Sequence, residues 1–128
     1  PASRLNIVFS SGTADTPLVT GEAQLLAGSE VVITVEGDTR VRATFSARLY
    51  NSSSGGNYVQ LFQDGVAVTQ GSYGVFGSLQ REGHGGVYIS PTLSRGSYRF
   101  SIRYTSIATG FSYVAGDPPW LLVVEELR

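Results

Sequence analysis

A chain of 128 residues and 13.6 kDa is long enough to bury one core without covalent staples, so a single domain over residues 1–128 is expected. The absence of cysteine excludes a disulfide framework, a thiolate metal site and a cysteine nucleophile. Nine basic residues, all arginine and dispersed along the chain, against ten acidic ones offer no basic cluster of the kind that displaces counterions from nucleic acid.

No apolar run reaches the roughly 20 residues needed to cross a bilayer. The N-terminus has none of the charged, apolar and cleavage regions of a signal peptide, so a mature, soluble chain without membrane insertion is expected.

In chain order, Leu5, Ile7 and Phe9 predict a short N-terminal strand, and Val19 to Leu26 a second one interrupted near Gly21. Val31, Ile33 and Val35 alternate with polar residues before Glu36-Gly37-Asp38. This is a tight connection expected to pair residues 30 to 50 into an antiparallel hairpin. From Thr39 to Tyr50 the period of two is strict: Val41, Ala43, Phe45, Ala47 and Leu49 alternate with Arg40, Arg42, Thr44, Ser46 and Arg48, the pattern of a half-buried strand. Val59, Leu61 and Phe62 run into Gln63-Asp64-Gly65-Val66, where Asp-Gly between β-prone runs predicts a two-residue type I′ turn.

Val87 to Ile89 reads as a short strand ended by Pro91. Tyr98, Phe100, Ile102 and Tyr104 alternate with Arg99, Ser101, Arg103 and Thr105 as another half-buried strand. The stretches expected as loops are residues 52–57, 71–77, 81–86 and 108–119. Trp120-Leu121-Leu122-Val123-Val124 is apolar on both faces, which places it centrally or with one face against a neighbouring subunit. Short strands, 16 glycines at turn spacing and no helical stripe read as an antiparallel β-sandwich or closed barrel.

The chain is poor in catalytic constellations. His84 is the sole histidine, in Arg81-Glu82-Gly83-His84-Gly85-Gly86; with no neighbouring ligands it is read as an exposed loop residue, and no Gly-x-Ser-x-Gly elbow accompanies it. Glu125 and Glu126 are adjacent, so in a strand they point to opposite faces and cannot share a substrate. Asp15, Asp38, Asp64 and Asp117 sit at turn signals. Residues 71–77 resemble a dinucleotide fingerprint only in passing, since no helix follows to supply its anion-binding end. Asn51-Ser52-Ser53 fits a glycosylation acceptor, a pattern frequent by chance. No catalytic residue, metal or cofactor is expected. Tyr73, Phe76, Tyr88 and Tyr113, in or beside loops, are candidates for stacking on a glycan or touching a receptor, with Asn57 or Gln70 as amide partners. The plainer alternative is that such rings plug the sandwich ends.

Leu93-Ser94-Arg95-Gly96-Ser97-Tyr98-Arg99-Phe100-Ser101-Ile102 resembles the Leu, two residues, Gly, alternating-aromatic strand of tumour-necrosis-factor-like and complement-type globular domains. Trp120 to Leu127 is similar to the terminal strand of such domains in bacteriophage virion proteins, where a strand, Asp-Gly, strand hairpin also sits mid-domain. The resemblance covers about half the chain. It implies a two-sheet sandwich of jelly-roll topology and a homotrimer at the surface of a virion, decorating a capsid or heading a fibre. Its partners would be other virion proteins or a cell-surface glycan. It transfers no catalytic residues. For the oligomer contact the expected residues are Trp120, Leu122 and Val124.

Overall fold

The computed structural model describes residues 6–12, 24–51, 55–68, 72–76, 81–106, 112–114 and 120–127. Every regular element in them is a strand: β1 (Ile7–Ser11), β2 (Gln24–Leu25), β3 (Val31–Val35), β4 (Arg40–Asn51), β5 (Gly55–Gln63), β6 (Val66–Ala67), β7 (Ser72–Phe76), β8 (Arg81–Ile89), β9 (Gly96–Ser106), β10 (Ser112–Val114) and β11 (Trp120–Leu127).

All pairings are antiparallel and fall into two sheets. In the first, β1 pairs with β11, β11 with β4, and β4 with β8. β10 continues the β11 edge of β4, with Val114 opposite Leu49 where Trp120 stands opposite Ala47. In the second, β3 and β2 line one edge of β9, β5 the other, and β6 and β7 share the far edge of β5. Each sheet is thus four strands wide, and the chain repeatedly crosses from one to the other. This is a jelly roll.

The period-two expectation for the two long strands holds. Val41, Ala43, Phe45 and Ala47 of β4 and Phe100, Ile102 and Tyr104 of β9 are buried between the sheets, with Ile33, Val35, Val59, Leu61, Leu122 and Val124. The mid-chain hairpin is also as expected. Gln63 pairs with Val66, and Asp64 and Gly65 have φ of 51° and 81°, the double positive φ of a type I′ turn. Asp64 Oδ1 accepts from the Arg99 N–H at 2.9 Å, and the Asp64 N–H donates to the Arg99 carbonyl at 2.8 Å, tying the turn to the neighbouring strand.

Three expectations are corrected. Residues 30 to 50 do not form a hairpin: β3 pairs with β9 and β4 with β11 and β8, so the turn at 36–38 carries the chain between sheets. Alternation reports which face of a strand is apolar and is silent on which strand lies beside it. Residues 72–76 and 81–86, read as loop, are strand, and so are 55–57, the start of β5. His84 accordingly stands in β8 opposite Ala47, not in a loop. Of the glycines that hide this strand, Gly85 has a packing reason. A Cβ on Gly85 would lie 2.4 Å from the Phe45 carbonyl oxygen, while one on Gly86 would make only ordinary contact with the Phe45 ring at 3.4 Å. The N-terminal strand is present from Ile7, and Leu5 and Val19 to Ala23 fall outside the described residues.

Two buried serines stand in for missing strand partners. Between β2 and β3 the chain bulges away from β9. There Ser29 Oγ accepts the Ile102 N–H at 3.1 Å, while the Leu26 N–H reaches the Ile102 carbonyl at 2.8 Å. Beyond β8, Ser90 Oγ accepts the Val41 N–H at 3.0 Å and donates to the Pro91 carbonyl at 2.7 Å. Both keep buried backbone donors satisfied where the ladder is interrupted.

Candidate functional site: the outer face of the first sheet

Side chains on β11 alternate strictly. Trp120, Leu122, Val124 and Glu126 are buried, while Leu121, Val123, Glu125 and Leu127 turn outward. Because the register is known across all four strands, the outward residues can be read in rows. Ile7, Glu125, Arg42 and Ile89 form one row; Phe9, Val123, Thr44 and Val87 the next; Ser11, Leu121, Ser46 and Gly85 the third. Among these, Phe9 is 69% exposed, Ile7 and Val87 60%, Ile89 52% and Leu121 38%. Half-buried Val123 lies between them. The result is an aliphatic and aromatic face on solvent, larger in extent than scattered single apolar residues.

One charged pair interrupts it. Arg42 Nη2 lies 2.6 Å and Nε 2.8 Å from Glu125 Oε1, directly cross-strand. Exposed to water such a pair is worth about 0–1 kcal/mol. Its effect here is to place one positive and one negative group among apolar side chains on a face that also carries Ser11, Thr44 and Ser46.

The expected interface residues therefore need correction. Trp120, Leu122 and Val124 fill the core of their own chain, and the face of β11 left outward is the one bearing Leu121 and Val123. Sequence showed an apolar strand but not its parity, since both faces are apolar. Trp120 is fixed from above by Gly12, whose N–H donates to the Trp120 carbonyl at 3.1 Å. Phe9, Ile7, Val87 and Ile89 were missed as surface residues because β-branched and aromatic residues in a strand read as core.

The four aromatics proposed for a glycan or receptor are distributed over both sheets. Tyr73 pairs with Tyr58 and Phe76 with Gly55 in the second sheet, and Tyr113 with Tyr50 and Tyr88 with Ala43 in the first. All four are strand residues. Tyr88 packs its ring against the core, and burial raises its hydroxyl pKa above the ordinary value. The side chains of Tyr73, Phe76 and Tyr113 lie outside the described residues.

Glu125 and Glu126 point to opposite faces as expected. Glu126 is buried at the end of the core, where its Oε1 accepts the Asn6 N–H at 3.5 Å, and its own N–H donates to the Asn6 carbonyl at 2.8 Å. Thr39 Oγ1 donates to the Leu127 carbonyl within the first sheet, and Asn6 Nδ2 donates to the Thr34 carbonyl of β3 at 2.5 Å, a polar link between the two sheets at this end of the sandwich.

No family model matches the chain, and no curated protein matches it. Solved structures do share its architecture. Eiger TNF from S. frugiperda aligns over 97% of this chain and 93% of that one, with a TM-score of 0.59 at 7% identity. A structure of infectious bursal disease virus, Gt strain, aligns over 98% of this chain with a TM-score of 0.50 at 11% identity. Dimeric latent PorU from Porphyromonas gingivalis aligns over 95% with a TM-score of 0.51 at 13% identity. The chain spans 38% of the viral chain and 12% of the PorU chain. At such identities the likeness is one of fold, and it agrees with the jelly roll read from the strand order.

Proposed function

We propose that the protein is a non-enzymatic structural component of a bacteriophage virion, a trimeric capsid-decoration protein or fibre head, that assembles through the outer face of the β1–β11–β4–β8 sheet. The observation that carries this reading is that face: Ile7, Phe9, Val87, Ile89 and Leu121 are exposed together on adjoining strands. Covering apolar surface stabilises by about 25 cal/mol for each square ångström removed from water. A further copy of the same chain can cover the surface. In a threefold ring the contact is heterologous, so this face packs on a different surface of the next copy and the ring closes without leaving the face on solvent. The virion setting is supported by the sequence resemblance of Leu93 to Ile102 and Trp120 to Leu127.

Native mass spectrometry tests the assembly, with an expected species of three times the 13.6 kDa chain mass. Peptide detection in purified particles tests the setting. A chain that stays monomeric at high concentration contradicts the first part, and its absence from particles the second.

A further inference from the structure

On the opposite side of the sandwich, the outer face of the second sheet carries an open cavity of about 400 Å³ lined by Leu25, Glu30, Asp64, Gly65, Arg99, Ser101 and Arg103. It follows from register. Arg99, Ser101 and Arg103 alternate outward on β9, with Leu25 beside Arg103 on one edge and the Asp64-Gly65 turn at the other.

The two guanidinium groups are unusual in what they lack. Among the described residues neither is ion-paired, although Glu30 and Asp64 line the same cavity. Arg103 is held in place by stacking, its Cζ 4.5 Å from the centre of the half-buried Phe62 ring. Its Nε is enclosed and has no acceptor. The enclosed Nε is out of reach of a ligand, so a guanidinium fixed in this orientation would offer its two Nη groups, which can take a carboxylate with two parallel hydrogen bonds. The lining holds two cations and two carboxylates, so it favours a monoanion over a phosphate dianion, and the carboxylates of Glu30 and Asp64 can accept hydrogen bonds from hydroxyl groups. The volume lies within the range of small-ligand clefts.

We propose that this cavity binds a monocarboxylated sugar, its carboxylate on Arg99 and Arg103 and its hydroxyls toward Glu30 and Asp64. The site goes beyond the assembly reading and is independent of it, because it is built from residues of the second sheet alone.

The test is titration of the full chain with D-glucuronate, followed by the backbone amide resonances of Gly65, Arg99, Ser101 and Arg103. D-glucose, acetate and inorganic phosphate serve as controls. Glucuronate is expected to shift these resonances saturably, with each control at least about tenfold weaker. Arg103→Lys keeps the charge but removes the planar fork, and is expected to weaken glucuronate binding about tenfold. Arg99→Gln and Glu30→Ala, on exposed side chains, are expected to weaken it in a chain whose other resonances are unmoved, and they decide the matter if Arg103→Lys does not fold. An absent or non-saturating shift overturns the proposal. So does equal binding of acetate or phosphate, which would mark a plain anion site, or glucuronate affinity unchanged in Arg99→Gln and Glu30→Ala. The measured mass of the particle in solution bears only on the assembly reading, so the two stand or fall separately.

Discussion

At the scale of single residues, the fold depends on small side chains that close gaps in the ladders. Ser29 Oγ accepts the buried Ile102 N–H, so Ser29→Ala takes that partner away and is expected to cost about 1–3 kcal/mol. Chemical denaturation at constant m-value would measure it. Gly12 shows the steric side of the same dependence. A Cβ there would lie 2.0 Å from Trp120 Nε1, and Gly12→Ala is expected to destabilise by about 1–3 kcal/mol through overpacking.

Tyr88 gives a pH dependence. Burial raises its pKa, so the folded state resists ionisation more than the unfolded one. Its contribution is complete below the unfolded pKa of about 10 and is lost as pH rises through the folded value. Tyr88→Phe is expected to remove that part of the alkaline decline in stability, as thermal melts at rising pH would show. None of these roles is legible in the sequence. A serine or glycine looks the same in a turn as it does beneath an indole ring or opposite a bulged strand.

Elements were legible in proportion to how much of their identity is local. Asp64-Gly65 could be read as a type I′ turn because the positive φ at both positions is a property of those two residues. Gly65→Val, with φ of 81° at an otherwise open position, is expected to cost about 1–2 kcal/mol through the backbone alone. The pairing of β3 with β9 instead of β4 is set by residues some sixty positions apart, and no local pattern carries it. β8 failed for a different reason. Its glycines argue against a strand by propensity, yet Gly85 is what lets it lie against the Phe45 backbone of β4, so tertiary contact overrides propensity. On β11, Leu122→Ala removes a fully buried side chain and is expected to cost about 2–5 kcal/mol.

For the whole molecule, the two sheets carry outer faces of different chemistry. Among the described residues, the first exposes apolar side chains around the Arg42–Glu125 ion pair, and the second holds a polar cavity lined by Arg99 and Arg103, neither of them ion-paired. The sequence made an apolar last strand evident but not which of its faces is left over, and the register across four strands decides that. The most direct measurement is sedimentation equilibrium on the wild-type chain and on Phe9→Arg, a change at a residue 69% exposed that leaves the core untouched. The wild-type assembly is expected to fall to the 13.6 kDa monomer in Phe9→Arg with its β-sheet spectrum unchanged. A wild-type monomer, or a Phe9→Arg assembly of undiminished mass, would contradict it.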